Sequence, residues 1–232
     1  MSKKIVIIGA GPVGCYAAGV LKTCGYRPLL IEEHAEVGRP VHCTGLVGGK
    51  VFESESVNPR LSSSIINTIN GAVIHYDHQS FMIRRKSVAY VIDREKFDKG
   101  LSEGLNILFQ NKFLGLEKNK SGYIIETDKT ELSADIIIGA DGANSLLRGI
   151  LNKNGNIRQY RGIQLRLKVR PRHKDLVEVY LKKPHFFWIV PETKDVVRVG
   201  TISENPYRDL SRFCKELKIK GEILERFGGL VS

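Results

Sequence analysis

The stretch Lys3–His34, KKIVIIGAGPVGCYAAGVLKTCGYRPLLIEEH, predicts a strand, a tight turn, a helix and a second strand. Ile5–Ile8 is a short apolar run of the kind that forms a strand buried on both faces. Val13–Thr23 has a helical composition, and Gly25 is a natural residue for ending that helix. Leu29–Ile31 supplies the second strand. The stretch therefore predicts one β-α-β unit of a parallel sheet.

The turn between the first strand and the helix has the GxGxxG spacing, with Gly9, Gly11 and Gly14, and Pro12 at the helix start. The first glycine permits the tight turn, the second lets the backbone approach a pyrophosphate, and the third packs the helix against the strand. The helix amino terminus then faces the phosphates. Glu32 follows the second strand, where an acid binds a ribose hydroxyl, which favours FAD or NAD over NADP.

Two later segments carry further candidates for the same site. In ELSADIIIGADGANSLLR, the apolar strand Ile136–Ile138 precedes Asp141 and Gly142. An aspartate in such a turn accepts hydrogen bonds from a ribose or from backbone, and the glycine lets the chain approach a cofactor. In VIDREKFDKGL, Arg94 stands at a strand-to-helix junction, where its guanidinium could reach a pyrophosphate. An ordinary turn and a surface arginine are the alternatives.

The order of these motifs resembles the FAD-dependent oxidoreductases of the para-hydroxybenzoate hydroxylase fold type, from Ile5 to about Arg148. The stretch GRPVHCTGLVGG, Gly38–Gly49, narrows the resemblance further. It looks like the loop of the geranylgeranyl reductase family, in which a cysteine in a PVxCxG setting lies beside the flavin. The resemblance implies that FAD is the cofactor and that Cys43, Thr44 and Leu46 lie against its flavin end, mostly through backbone.

A second family feature is the segment PHFFWIVP, which resembles that family's YxWxFP motif. The matching residues are Phe186, Trp188, Val190 and Pro191. In the family this motif lines the lipid-binding cavity, so the resemblance implies that these residues bind substrate. Alternation predicts a strand with two apolar faces, and an ordinary buried strand without a ligand is the alternative. Phe186 lacks the tyrosine hydroxyl, and Val190 is smaller than phenylalanine.

A basic stretch precedes this strand and raises the question of an anionic partner. RGIQLRLKVRPR alternates apolar residues with polar ones, which predicts a half-buried strand whose basic face, with Gln164, Arg166, Lys168 and Arg170, is wet. The formal net charge is +11, and a run of cations contains no acid. That run is Arg148, Lys153, Arg158, Arg161, Arg166, Lys168, Arg170, Arg172 and Lys174. Nucleic acid, a phosphate-bearing cofactor and an anionic membrane are all compatible partners, and a merely solvated face is the alternative. With the resemblance, we expect peripheral membrane contact through residues 148–174 and no nucleic acid.

These observations predict an α/β fold class with two domains. A Rossmann-like, three-layer FAD-binding domain is expected over residues 1–150, with an inserted segment at about 50–90. An antiparallel sheet that forms a partial substrate domain is expected over 151–232, with a helix at about Tyr207–Leu217. Nothing after Thr201 matches the GDAA-type third FAD segment of the family, so the fold is expected to be incomplete at the carboxyl end.

The reaction implied by the resemblance is saturation of isolated double bonds in a geranylgeranyl lipid or diphosphate by hydride from reduced FAD. The external reductant, NAD(P)H or ferredoxin, is left open. A flavin monooxygenase of the same fold and a non-catalytic FAD-binding protein are the alternatives. Cys43 and His42 are the candidate proton donors, although a loop cysteine and a loop histidine commonly have no catalytic role.

Cysteine and histidine placement does not predict a metal site. His75 and His78 in HYDH have no third ligand in view, and the cysteines form no CxxC pair. The cysteines are Cys15, Cys24, Cys43 and Cys214. No apolar run approaches the roughly 20 residues that span a bilayer, and glycines interrupt the amino-terminal one. We therefore expect a cytoplasmic protein, peripheral at the membrane at most.

Overall fold

The structure is a computed structural model that describes residues 3–52, 59–151 and 159–231. The chain folds as two compact units. The first unit contains the described residues of 1–40, 54–61 and 95–157, and the second contains those of 41–53, 62–94 and 158–232. The described part of the chain has no helix that is long and apolar enough to span a membrane.

The helices and strands are bounded as follows. The strands are β1 (Ile5–Ile8), β2 (Leu29–Ile31), β3 (Leu46–Gly48), β4 (Ile65–Tyr76), β5 (Gln79–Ile92), β6 (Asn106–Leu108), β7 (Phe113–Asn119), β8 (Gly122–Thr127), β9 (Glu131–Ala134), β10 (Ile136–Gly139), β11 (Tyr160–Lys168), β12 (Val177–Lys182), β13 (His185–Pro191), β14 (Val196–Ser203) and β15 (Glu222–Val231). The α-helices are α1 (Pro12–Thr23), α2 (Arg94–Ser102), α3 (Leu146–Ile150) and α4 (Pro206–Glu216), and short 3-10 helices span Gly49–Phe52 and Pro59–Ser64.

The first unit has three layers around a parallel sheet with the strand order β10-β1-β2-β6. Every residue of β1 is buried, because the sheet is covered on both faces. Ile7 and Leu30 pack in a cluster with residues of α1 and α2. Val6 and Ile8 pack in a second cluster with residues of the antiparallel sheet β7-β8-β9. This arrangement confirms the predicted Rossmann-like three-layer domain.

The second unit is built on a mixed sheet with the order β15-β11-β14-β13-β12-β4-β5-β3, in which β12 and β4 are parallel and the other pairs antiparallel. Helix α4 covers one face, where Leu210 and Phe213 pack with Ile189 and Val199. The opposite face carries a cluster that includes Val190 and Trp188. The predicted antiparallel sheet and the predicted helix near 207–217 are confirmed.

The structure distributes the chain differently from the boundary expected at residue 150. Residues 41–53 and 62–94, expected in the first domain, belong to the second unit. The reason is strand pairing: β4 pairs with β12, and β5 pairs with both β4 and β3. The stretch RFGGLVS, where the chain ends, lies in the edge strand β15 as far as Val231 and pairs with β11.

Candidate functional site

The three motif glycines of the first unit occupy three different environments. Gly9 has φ of 98°, and a Cβ there would lie 2.4 Å from the Ala140 carbonyl oxygen. A Cβ on Gly14 would lie 2.0 Å from the Gly9 carbonyl oxygen. A Cβ on Gly11 would meet nothing within 4 Å. Gly9 and Gly14 are thus required for the turn to close, whereas Gly11 leaves open space beside the backbone at the start of α1, which fits a bound pyrophosphate.

Glu32 lies directly beside this turn, at the end of β2. Its Oε2 accepts a hydrogen bond from the Ala10 N–H at 2.9 Å, and its Oε1 accepts one from the His34 N–H at 3.0 Å. The His34 Nδ1 lies 2.6 Å from the same Oε1. Oε1 is occupied by the two His34 groups, whereas Oε2 accepts only the Ala10 N–H in the described part of the chain and has a second lone pair for a ribose hydroxyl. The carboxylate therefore fixes the turn and remains available as an acceptor.

The other candidates of the two FAD-type segments are placed as follows. Asp141 follows β10, and its Oδ2 accepts from the Leu147 N–H at 3.2 Å, so it holds the start of α3. Gly142 has φ of 76° and open space at its Cβ position. Arg94 is the first residue of α2, separated by one residue from the end of β5 at Ile92, which confirms the predicted strand-to-helix junction. Its aliphatic stem packs at Gly45, where a Cβ would lie 3.3 Å from the Arg94 Cγ.

Cys15 is the one cysteine whose environment changes its chemistry strongly among those described. Its side chain is buried beneath the glycine turn, and its Sγ donates to the Ala10 carbonyl oxygen at 3.1 Å. Burial, with smaller contributions from the negative charges of Asp98 and Glu32, raises the pKa of the Cys15 thiol to about 12. The thiol is therefore neutral and inert at physiological pH.

This raised pKa predicts alkaline destabilisation of the folded state. In unfolded chains the thiol ionises at a pKa near 9.0, so above that pH the unfolded state binds fewer protons than the native state. The free energy of unfolding then falls by up to about 1.4 kcal/mol per pH unit until the native pKa is reached. Denaturant titrations at about pH 7 and about pH 10 should show a smaller loss for Cys15→Ala than for the wild type. Equal losses in both proteins would contradict this prediction.

The Cys43 loop, residues 41–46, is held by the sheet of the second unit. His42 Nδ1 lies 2.7 Å from the Gly228 carbonyl oxygen of β15. The Thr44 carbonyl oxygen accepts from Arg198 of β14, and the Gly45 carbonyl oxygen accepts from the Ile92 N–H at 2.8 Å. The exposed Cys43 is a free thiol whose Sγ lies 3.4 Å from the Gly45 N–H. The loop shape is therefore fixed by protein contacts.

Arg198 belongs to a buried ionic cluster with Glu192 and Arg166. Glu192 Oε2 accepts from the Arg198 Nε at 2.9 Å, and both of its oxygens accept from the Arg166 Nε at 2.9 Å. Burial alone would raise the pKa of Glu192, but the hydrogen bonds from Arg166 and Arg198 outweigh it and lower that pKa. The hydrogen bond to Glu192 in turn raises the pKa of Arg166. The cluster is therefore fully ionised, which is how buried charges are tolerated.

The candidate substrate strand is β13, and its residues divide by exposure. Val190 and Pro191 are buried, whereas Trp188 is half-buried and Phe186 is exposed. The Phe186 and Trp188 ring centroids lie 5.7 Å apart. Leu46, from the Cys43 loop segment, packs in one cluster with Trp188 and Val190. The structure thus brings together side chains from the two family-like motifs.

Gln164, predicted on a wet face, is only 3% exposed, so that prediction is wrong at this position. Its Oε1 accepts from the Trp188 Nε1 at 3.0 Å, while its buried Nε2 has no hydrogen-bond partner among the described residues. Arg166, also predicted on the wet face, is bound to Glu192. The alternation correctly predicted a strand. Its polar face is not fully solvated, however, because Gln164 is hydrogen-bonded to Trp188 of β13 and Arg166 to Glu192, the residue after β13.

Several cations of the basic run also have partners within the protein. Arg172 Nη1 lies 3.8 Å from Glu178 and 3.4 Å from the Tyr180 hydroxyl, and Lys168 lies 3.9 Å from Glu222. Arg148 Nη2 donates to the Ala143 carbonyl oxygen at 3.1 Å. Lys153 and Arg158 lie outside the described residues. Charge counted along the sequence therefore overstates what this segment offers to an anionic surface.

Three residues that shape this site, Arg198, Glu192 and Gly200, were not predicted from the sequence. Arg198 stands in the apolar run VVRVG, and a charged residue within a buried strand is seldom present without a partner, which was a usable signal. Gly200 lies directly beneath the indole, since a Cβ there would be 2.3 Å from the Trp188 Cζ2. A lone glycine in a strand often marks such a close approach.

Solved structures define the class of protein to which this fold belongs. A geranylgeranyl bacteriochlorophyll reductase-like protein from Thermoplasma acidophilum superposes with a TM-score of 0.88 at 24% identity, covering 100% of this chain and 66% of its own. CmlS, a flavin-dependent halogenase, superposes with a TM-score of 0.78 at 15% identity, covering 100% of this chain and 50% of its own. The chain has the fold of the Rossmann-type flavoproteins.

Within this class the chain resembles the geranylgeranyl reductases. The digeranylgeranylglycerophospholipid reductase of Thermoplasma volcanium is 27% identical over 84% of this chain and 55% of its own length. An uncharacterised protein of Methanocaldococcus jannaschii is 35% identical over 95% of this chain and 59% of its own length. No protein-family model matches the chain. The chain thus spans somewhat more than half the length of these relatives.

Proposed function

We propose that this protein is an FAD-dependent reductase that saturates isolated carbon–carbon double bonds of an isoprenoid lipid. The observation that carries the proposal is the cluster in which Leu46 of the PVxCxG segment packs with Trp188 and Val190 of the FxWxxP strand. Two motifs that are distant in sequence, and that both resemble the same family, thus meet in one apolar core cluster of the second unit. At its edge Trp188 is half-buried beside the exposed Phe186, and these accessible apolar rings suit an alkene substrate better than a polar one.

The first unit supplies the residues proposed to hold FAD. The open backbone at Gly11, with the amino terminus of α1 beside it, fits a pyrophosphate. Glu32, fixed by the Ala10 N–H, is proposed to accept the ribose hydroxyl. Pro12 has no N–H to donate. Because it is the first residue of α1, where an N–H would have no partner within the helix, the helix loses no hydrogen bond. Asp141, Gly142 and Arg94 complete the proposed set, and Cys43, Thr44 and Leu46 are assigned to the flavin ring by resemblance.

When bound, reduced FAD supplies hydride for addition to the double bond, and the protein must supply a proton and exclude water. His42 Nδ1 faces a carbonyl oxygen, which can only accept, so Nδ1 carries the proton in the neutral ring. His42 can therefore donate from Nε2 only as an imidazolium. The exposed Cys43 thiol is the other proposed donor. Phe186 and Trp188 are proposed to contact the substrate. The exposed cations among residues 148–174 are proposed to bind an anionic headgroup or membrane surface.

The reductase activity is tested by a single anaerobic turnover, in which the reduced flavin is the electron donor. Protein saturated with FAD is reduced with dithionite and mixed with a lipid that carries geranylgeranyl chains. We expect the flavin to reoxidise and the lipid to gain two hydrogens per saturated bond by mass spectrometry. Gly11→Ala, which is expected to bind FAD about tenfold or more weakly, is the matched control at an FAD concentration that just saturates the wild type. Reduced flavin that stays reduced beside unchanged lipid would contradict the proposal, and oxygen consumption with an aromatic substrate would instead indicate a monooxygenase.

A further inference from the structure

We propose that Arg198 is a positioning residue that selects the orientation of the Thr44–Gly45 peptide in the Cys43 loop. The inference deepens the proposed function, because the loop is assigned there to the flavin ring. Its structural part, however, stands on contacts within the second unit alone, and it can be tested with no cofactor present.

The Thr44–Gly45 peptide has no strong local preference for one orientation. Gly45 has φ of 68°, in the left-handed region that glycine occupies about as readily as the right-handed one. A rotation of this peptide therefore meets little steric resistance from Gly45 itself. The N–H of the same peptide, that of Gly45, donates to a weak acceptor, the Cys43 Sγ at 3.4 Å. Something outside the loop must decide which way the peptide points.

Arg198 determines the orientation of the Thr44–Gly45 peptide through its charge. Its Nη1 donates to the Thr44 carbonyl oxygen and, at 3.2 Å, to the Ile92 carbonyl oxygen. In a planar trans peptide the C=O and the following N–H point in opposite directions, so rotation would turn the Gly45 N–H toward the guanidinium. A donor facing a buried cation is unfavourable, and Arg198 is only 7% exposed. The flipped orientation is thus disfavoured twice, by a lost hydrogen bond and by repulsion.

Glu192 keeps the guanidinium in place so that it can act on the loop. The carboxylate is 2% exposed and binds the Arg198 Nε, while Arg166 occupies its other side. Arg198 is thereby fixed at one end by an ion pair, and its other end is free to bind backbone carbonyl groups. The absence of a side chain at Gly45 leaves room for the guanidinium, since a Cβ at Gly45 would lie 2.6 Å from the Arg198 Nη1.

The consequence for function is the chemistry that the loop offers to a ligand. With the Thr44 carbonyl oxygen bound to Arg198 and the Gly45 N–H directed to the Cys43 Sγ, the loop presents the exposed Cys43 thiol, a hydrogen-bond donor, rather than that carbonyl oxygen. Donors of this kind complement a hydrogen-bond acceptor such as a flavin ring carbonyl or ring nitrogen. Removing Arg198 should therefore loosen the loop and weaken flavin binding without unfolding the sheet.

The test uses Cys43 as a reporter and the other cysteines as internal standards. Arg198→Met, Glu192→Gln and, as a matched control, the exposed β15 arginine variant Arg226→Met are alkylated with iodoacetamide without FAD, and the rate at each cysteine is read by peptide mass spectrometry. We expect Cys43 to react severalfold faster in Arg198→Met than in wild type, with Cys15 and Cys214 unchanged. Glu192→Gln, which frees the guanidinium, should raise the Cys43 rate less, and Arg226→Met should not change it.

A Cys43 rate in folded Arg198→Met equal to that of wild type would overturn the proposal. So would a parallel rise at Cys15 and Cys214, because that pattern indicates global loosening. If Arg198→Met does not fold, the same criteria apply to Glu192→Gln. FAD titration of the same variants separates the two proposals: wild type that does not bind FAD refutes the proposed function but leaves the alkylation result decisive for Arg198.

Discussion

Gly14→Ala is expected to lower the melting temperature by roughly 6 °C or more, and Gly11→Ala is expected to leave it nearly unchanged. At Gly14 the new methyl group would lie 2.0 Å from the Gly9 carbonyl oxygen, which is backbone and cannot rotate aside. Overpacking of this kind costs about 3 kcal/mol, the upper end of its usual range. At Gly11 the backbone is extended, with φ of −66° and ψ of 178°, and the space is open.

The same pair separates stability from cofactor binding. The methyl group of Gly11→Ala would occupy the space proposed for the pyrophosphate, so FAD affinity should fall by about tenfold or more. Thermal melts without FAD measure the change in stability, and flavin fluorescence titration measures the change in FAD affinity. Gly11→Ala with native stability and native FAD affinity would contradict the assigned site. Gly14→Ala with an unchanged melting temperature would contradict the packing described for the turn.

Gly200→Ala is expected to displace Trp188 and to destabilise the second unit by roughly 2–5 kcal/mol. The added Cβ would lie 2.3 Å from the indole Cζ2 and 2.8 Å from the Ile163 carbonyl oxygen, so the ring must move. Movement breaks the hydrogen bond from the Trp188 Nε1–H to Gln164, whose buried amide nitrogen already has no partner in the described part of the chain. The cost therefore includes an unsatisfied buried carbonyl group as well as the steric overlap.

This displacement has a direct optical signal, because Trp188 is the only tryptophan of the chain. The emission maximum of native Gly200→Ala should shift to longer wavelength as the indole becomes more hydrated. Gly162→Ala is the matched control: it lies on the neighbouring strand β11, and its Cβ would meet ordinary contacts of 3.5 Å and beyond. Wild-type emission and stability in Gly200→Ala would show that the indole does not lie over Gly200.

The amino-terminal strand-turn-helix-strand was predictable from sequence because its determinants are local. Three glycines, each with its own steric role, set the turn, and observed α1 begins at Pro12, one residue from the expected start. The placement of Arg94 at a strand-to-helix junction was predictable for the same reason. The resemblance also identified the Cys43 loop, although not the Arg198 contact that holds it.

The features that could not be predicted from the sequence depend on pairings between distant parts of the chain. The second unit takes up 62–94 because β4 pairs in parallel with β12, which no local pattern reveals. Gln164 and Arg166 resemble surface residues in an alternating strand, yet Gln164 is buried and Arg166 half-buried, because Trp188 and Glu192 supply partners. A polar residue on a sheet face is wet only if nothing covers that face, and coverage is a tertiary property.

The central claim, that this chain binds FAD through the Gly9–Gly14 turn, is tested most directly by equilibrium titration of the purified protein with FAD. We expect saturable binding of one FAD per chain and a gain in melting temperature with FAD concentration, and in Gly11→Ala both should require about tenfold or more FAD. Folded wild-type protein that shows no saturable binding and no thermal shift would contradict it.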